Sequence, residues 1–379
     1  MSAVAGLIAD SVSADVTRRW QAIDPLLPSS QAPRTGCGAG LVVAGAGRHP
    51  AAVGTCEHWE GEPESLDLTW GAARRFELTA QIAGPDVAGA LDQLLAQWRD
   101  HLAGVPAADG SDTAAIVTWA SRDIGGVGTL LRHGLAPLNV IAARPTARPA
   151  GPANGHAGGS ANGHANGHAN GHADGPADGH ADGPANGHAD GPANGHADGP
   201  AASANGPGET AGSASGGLRI RRAGPADIDA VVRLGLEVIR FDAHFGGVIE
   251  RPGTADALRR EAAGLLAGPE PWTWLAERDG AAIGMLAAER PEAAGWIAPM
   301  ARPEAVAYLM LMFVQPGERR GGIGAALAAR MHREVEAAGV PVTLLHYEQA
   351  NPLSAPFWGQ QGYRPLWTSW QARPARALR

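Results

Sequence analysis

The stretch from Tyr308 to Ala328 restricts the folding of this 379-residue chain more than any other. Tyr308 to Val314 is an unbroken apolar and aromatic run, suited to a strand buried on both faces. Pro316 and Gly317 stop it, and from Ile323 the sequence is an alanine-rich helix. Between them lie Arg319, Arg320, Gly321 and Gly322, with Gly324 just inside the helix. Glycines at a strand-to-helix junction let backbone N–H groups close on an anion. The first helical turn adds unpaired donors and the positive end of the helix dipole. The junction is therefore expected to hold a pyrophosphate.

Several nucleotide folds share a glycine-rich turn, and composition separates them. All 30 basic residues are arginine, so there is no Walker-type lysine, and no G-x-G-x-x-G is followed by an acidic residue after a second strand. What is present is Arg319-x-x-Gly322-x-Gly324, followed by Ala325 and preceded by Val314-x-Pro316. This pattern resembles the acetyl-coenzyme A signature of the GCN5-related N-acetyltransferase (GNAT) superfamily. Downstream, Pro341 to His346 reads as a strand, and Asn351, Phe357, Gly362 and Tyr363 fit the family's Asn-x-x-Ala-x-x-Phe-Tyr-x-x-x-Gly-Phe stretch, with Ala355 one position off. Upstream, Leu218 to Ala223 is a strand leading into a capped helix, and Asp279-Gly280 joins Trp272–Glu277 to Ala281–Glu289 as a hairpin. The resemblance covers residues 218 to about 373 in the family's order. It implies acetyl-CoA as co-substrate. Backbone N–H groups from Arg320 through Gly321, Gly322, Ile323 and Gly324 to Ala325 would hold the pyrophosphate, and Arg319 and Arg320 would add charge. Met312, Phe313 and Val314 would pair with the pantetheine amides, and Asn351 belongs to the same binding set.

From Pro152 the chain runs in tetrapeptides of the form Ala-Asn/Asp-Gly-His/Pro, almost without side chains larger than alanine that could offset the entropy of ordering. We read residues 146–217 as a disordered linker and its seven histidines, His156 to His196, as a repeat-expanded spacer with no metal site. The linker leaves two units of ordinary domain size, 1–145 and 218–379, free to dock in cis. The net charge of −8 argues against nucleic acid as the partner. Cys37 and Cys56 have no neighbours at metal-ligand spacing, no basic region precedes the short apolar start, and no apolar run approaches ~20 residues. These features indicate a cytoplasmic protein with no membrane association.

The N-terminal unit repeats the C-terminal one. Leu41–Ala46 and Ala51–Trp59 look like a hairpin and Arg74–Ala83 alternates as a strand. Leu91, Leu94, Leu95, Trp98 and Leu102 form one stripe of a helix over Val87–Leu102. Gly89-Ala90 and Gly104-Val105-Pro106 fall on Gly324-Ala325 and Gly339-Val340-Pro341 at one offset. Asp123, Gly134, Pro137 and Leu138 fall on Asn351, Gly362, Pro365 and Leu366 at another. The expected class is α+β, two GNAT-like domains, each a mixed, mostly antiparallel sheet flanked by helices. In the first copy Gly84 stands for Arg319, Val87 replaces Gly322, and Pro85 and Asp86 intrude. A missing N–H and a carboxylate there predict that this copy does not bind acetyl-CoA.

An amine acceptor must lose its proton before it attacks, because an alkyl ammonium has a pKa near ~10. Tyr308, Glu304, Glu289, His346 and Glu348 lie on or near strands expected to face the pocket. Tyr308 stands in the region where relatives carry a carboxylate base. Many members protonate the leaving thiolate with a tyrosine, but Trp358 occupies that position here. Ser354, Tyr347 or water would substitute, or the thiolate leaves unassisted. Trp272, Trp274, Trp296, Phe245 and His244 are candidates for lining the acceptor pocket. The leading reading is acetyl transfer to a small-molecule amine in a ternary complex. The alternatives are a non-catalytic acyl-CoA sensor and a mycothiol-synthase-like tandem acetyltransferase.

Overall fold

The computed structural model describes residues 2–30, 39–43, 45, 51–146 and 217–379. The repeat tract, with its expected disorder and its histidines, and Cys37 lie outside them. The N-terminal half runs α1 (Ser2–Ile23), β1 (Ala39–Val43), β2 (Ala52–Glu60), β3 (Arg74–Ile82), α2 (Val87–Ala103), β4 (Thr113–Ala120), α3 (Val127–Arg132) and β5 (Ala136–Pro145). The C-terminal half runs β6 (Arg219–Arg222), α4 (Ile228–Asp242), α5 (Thr254–Leu266), β7 (Thr273–Arg278), β8 (Ala281–Glu289), β9 (Val306–Val314), α6 (Ile323–Ala337), β10 (Val342–Glu348), α7 (Ser354–Gln360) and β11 (Arg364–Ala372). From the β1/β2 and β7/β8 hairpins onward the halves share one order: three strands, a helix, a strand, a short helix and a last strand. Gly134 and Gly362, matched in the sequence repeat, both turn in the left-handed region, at φ 80° and 86°, just before those last strands.

The α+β class is as expected, but the two sheets are one. All the strands form an 11-stranded sheet ordered β1-β2-β3-β4-β11-β5-β10-β9-β8-β7-β6. Only β3/β4 and β9/β10 pair in parallel; the other neighbours are antiparallel. The last strand of each half is exchanged. β5 lies between β11 and β10, and β11 lies between β4 and β5, with Thr368 opposite Val140 at the centre. The sequence of β5 suits this place, since Val140, Ile141, Ala142 and Ala143 are all buried, as a strand covered on both faces requires.

On one face of the N-terminal half, the predicted α2 stripe of Leu91, Leu94, Leu95, Trp98 and Leu102 packs on Phe76, Leu78 and Val117. Ala375 and Leu378, from the far end of the chain, join that core. In the C-terminal half α6 packs Leu327, Met331 and Val335 against Trp274, Leu286 and Leu345. α4 and α5 cover the opposite face through Leu234, Ile239, Leu258, Leu275 and Phe313. Polar contacts also cross the halves. Arg251 donates to the carbonyls of Leu68 and Gly71 at 2.7 and 3.1 Å and pairs with Asp112 at 2.8 Å. Asp24, 1% exposed, receives Arg364 at 2.8 and 2.9 Å and also pairs with Arg122.

Because β4 and β10 each take their central neighbour from the other half, neither half can satisfy its sheet alone. Fragments 1–146 and 217–379 expressed separately are expected to aggregate, and co-expression is expected to recover a soluble pair with one cooperative unfolding transition by circular dichroism. Two independently folded monomeric fragments would contradict the exchange.

Candidate active site

The site begins where two parallel strands part. β9 and β10 pair only from Val306/Val342 to Leu309/Leu345. Along β8 the register shifts between Ala287/Leu311 and Ala288/Leu309, leaving Met310 as an extra residue in β9. Such a bulge bends the strand and strengthens its twist. Beyond it β9 stays with β8 to Val314, while His346, Tyr347 and Glu348 of β10 stay with β5. The result is a wedge whose edges expose unpaired main-chain groups of Met310 to Val314 on one side and of β10 on the other.

The wide end of the wedge runs into the arginine-glycine turn. Arg320 and Gly322 both adopt left-handed conformations, at φ 68° and 80°. No side chain caps α6, whose first main-chain bond runs from the Ala326 N–H to the Gly322 carbonyl at 2.9 Å. The N–H groups of Ile323, Gly324 and Ala325 therefore precede the first helical bond, which is the arrangement an anion needs. Gly324 permits close packing of α7, since a Cβ there would lie 3.3 Å from the Phe357 ring. Met312, Phe313 and Val314 line the same cavity, of about 1140 Å³, as Arg319, Arg320 and Gly322. Ile323, Gly324 and Ala325 line it too, as does Asn351, while Gly321 lies exposed within the turn. One expectation changes. Arg319 folds back, its Nε donating to the Val314 carbonyl at 2.9 Å and its guanidinium lying 5.0 and 5.4 Å from the Phe241 and Phe313 rings. It fixes the turn as well as charging it. Glu318, whose carboxylate would repel an anion, is paired with Arg278 at 2.9 Å.

The matching junction in the N-terminal half is closed by the chain itself. Asp86 caps α2, its Oδ1 accepting from the Gly89 N–H at 2.9 Å. Arg19 of α1 donates to the carbonyl of Ile82, the last residue of β3, at 2.8 Å.

On the other side of the wedge, acidic and aromatic groups converge. The Tyr308 hydroxyl and His346 Nδ1 are 3.0 Å apart, and Trp296 lies edge-on to Tyr308 and parallel to His346. Trp296 Nε1 donates to Glu289 at 2.9 Å. Nearby, Asn351 Nδ2 donates to Asp242 at 3.1 Å, while its Oδ1 accepts from the Leu353 N–H at 3.0 Å. Both ends of Asn351 are thus engaged in holding the α7 turn and Asp242. Glu348 lies against Gly247, where a Cβ would come within 2.3 Å of its carboxyl oxygens. Glu348 Oε2 is closed off from solvent and has no hydrogen-bond partner among the described residues.

Tyr308, Tyr347 and Ser354 line the cavity, but not from one side. Tyr347 packs toward α6 and α7 with Trp358 and Tyr363, whereas Tyr308 and His346 face Trp296. Glu304 is corrected: it is exposed on the segment before β9 and does not line the cavity, because β9 begins only at Val306. Of the aromatic residues expected to line an acceptor pocket, only Trp296 lines the cavity. Trp272 and Trp274 are buried in the core under α6, and His244 is exposed. The sequence reading missed Asp242. Its signal was available, since an acid as the last residue of a helix opposes the dipole and calls for a reason. It also named none of the N-terminal residues that line the cavity, which include Arg75, Glu77, Thr118 and Asn139.

Burial controls the charges here. It pushes Asp242 up to about 6, against the hydrogen bond from Asn351. Burial and the adjacent Asp242 charge push Glu348 up to about 8. His346 is pushed down to about 4 by burial, and Tyr308 is raised by burial and by Glu289. At neutral pH Tyr308 is therefore a phenol, able to donate a proton but not to accept one, and His346 is neutral. Glu348 carries a further consequence. Its folded pKa lies above its ordinary value of 4.5, so its contribution to stability is full below that value and is lost as pH rises through about 8. The melting temperature of Glu348→Gln relative to the unaltered chain is expected to rise between pH about 5 and about 8.5. A flat difference across that window would contradict the burial account.

Residues 244–363 match the model of the Acetyltransferase (GNAT) family. Among solved structures, a GCN5-related N-acetyltransferase from Sphaerobacter thermophilus superposes with a TM-score of 0.50 at 12% identity, covering 98% of this chain and 94% of that one. A GCN5-related N-acetyltransferase from Kribbella flavida gives a TM-score of 0.37 at 14% identity, over 96% of this chain and 94% of that one. The aminoglycoside N-acetyltransferase AAC(6')-Iy in complex with CoA gives 0.33 at 18% identity, over 40% of this chain and 91% of that one. A search of curated proteins found no match. The family match lies across the wedge and the turn, over about a third of the chain, and the first superposition extends the same fold over both halves.

Proposed function

We propose that this protein transfers an acetyl group from acetyl-CoA to the primary amine of a small molecule, by direct attack within a ternary complex. The observation that carries this reading is a single cavity joining the open wedge and the uncapped start of α6 to a buried acidic pocket. N–H groups of Ile323, Gly324 and Ala325 and the left-handed turn at Arg320 and Gly322 suit the diphosphate. The unpaired edge from Met312 to Val314 suits the pantetheine amides.

The acceptor must enter from the concave side, where Glu348, Asp242 and His346 lie. Its ammonium loses a proton to this cluster, directly or through water, and the amine nitrogen forms a bond to the thioester carbon as the carbon–sulfur bond breaks. The raised carboxyl of Glu348 suits a base that becomes ionised as pH rises toward about 8. Tyr308 serves as a hydrogen-bond donor and not as the base. Tyr347, raised by burial and hence protonated, and Ser354 at the start of α7 both line the cavity, and we assign them to meet the departing thiolate. The N-terminal half is a diverged copy that supplies the acceptor wall and no second acetyl-CoA site, since Asp86 and Arg19 occupy the equivalent positions. No helix among the described residues is long and apolar enough to cross a membrane.

Thiol release from acetyl-CoA with a panel of primary amines, with mass detection of the product, tests the reaction. Tight CoA binding with no turnover on any amine would reject it. Gly322→Val places a β-branched residue at φ 80° and is expected to weaken acetyl-CoA binding by about tenfold or more, the loss of one or two hydrogen bonds to a charged group. Calorimetry should give one acetyl-CoA per chain for the unaltered protein.

A further inference from the structure

The floor of the acceptor side is a polar row that no single half of the chain contains. Glu348 of β10 is registered with Asn139 of β5, Asn139 with Ser369 of β11, and Ser369 with Thr118 of β4. All four line the cavity. Registered residues on neighbouring strands point to the same face, so these side chains stand side by side across three strand spacings, about 14 Å. At the Glu348 end are two oxygens without hydrogen-bond partners, and a cation beside them would favour the ionised form of Glu348. Glu348, 7% exposed, has Oε2 occluded and unpartnered, and Asn139 has Oδ1 in the same state. Buried acceptors left unpaired cost free energy, and two of them adjacent in one pocket call for a ligand rich in donors.

Glu77 lies beyond the other end. It pairs with Ile116, two residues before Thr118 and so on the same face of β4. Glu77 lines the cavity as an exposed residue and has no hydrogen-bond or ion-pair partner among the described residues, although the Arg75 charge acts on it. The nearby Arg75 does not pair with it. Its guanidinium donates to the carbonyls of Ala72 and Asp67 and lies 3.9 Å from the Trp59 ring. The acceptor side is therefore acidic at both ends, with its one arginine engaged elsewhere.

Resting on the transferase reading above, we propose that the acceptor is a linear polyamine. Its reacting ammonium sits between Glu348 and Asn139, its chain follows Ser369 and Thr118, and a second ammonium is held by Glu77. An ammonium offers three donors, enough for both orphaned oxygens.

The test compares n-butylamine, 1,4-diaminobutane, spermidine and spermine as acceptors, and measures spermidine binding to the CoA-loaded full chain by calorimetry. Spermidine or spermine is expected to exceed n-butylamine by at least tenfold in kcat/KM. Glu77→Gln should cut that preference by about tenfold, the effect of losing one charge pair in a cavity. Asn139→Ala should raise the KM of every amine and leave the KM of acetyl-CoA unchanged. Equal use of n-butylamine and spermine, or a preference untouched by Glu77→Gln, would overturn the proposal. So would an Asn139→Ala variant that folds and binds amines normally. If no amine is acetylated, spermidine binding that weakens in Glu77→Gln upholds the cation seats while the transferase reading fails; absence of both binding and turnover rejects both.

Discussion

The insertion of β5 between β10 and β11 at the middle of the sheet, antiparallel to both, is the constraint on which the rest of the molecule depends. It gives β10 a partner on the side away from β9, so β10 can leave β9 after Leu345 without stranding its own main-chain groups. Without that partner, opening a wedge would expose both edges of β10 to an apolar interior, at a cost of several unpaired hydrogen-bonding groups. The same insertion sets Asn139 beside both Glu348 and Ser369, and β11 in turn sets Ser369 beside Thr118, so the floor of the cavity is built from both halves.

The two halves show how little distinguishes an open strand-to-helix junction from a closed one. Both have a parallel strand pair that parts, followed by a helix. In one, left-handed turn residues leave the helix start uncapped. In the other, Asp86 caps α2 with its own carboxylate and the guanidinium of Arg19 takes the carbonyl at the end of β3. A helix N-terminus favours negative charge whatever its source, so a side-chain carboxylate satisfies it as well as a phosphate does.

Placing Asp242 and Glu348 in one pocket weakens the fold, since burial disfavours the charged form of each and the Asp242 charge raises Glu348 further. Clusters of this kind persist where chemistry uses them. Gly247 leaves the space for Glu348, and Asn351 steadies Asp242, so the strain is contained by neighbours that serve as supports.

Local features were legible in the sequence wherever they depend on adjacent residues. The apolar run into Pro316, the glycines before α6, the stripe of α2 and the Asp279-Gly280 hairpin are consequences of periodicity, turn stereochemistry and capping, and the structure has each of them. The repeat of glycines and prolines disclosed the duplicated order of elements. Tertiary structure alone decided which strands became neighbours, because strand pairing joins residues far apart in the chain and alternation reveals a face but not its partner. That is why the two expected sheets are one, why Glu304 falls outside the cavity while Asp242 and Asn139 line it, and why Arg319 turns back onto Phe241 and Phe313.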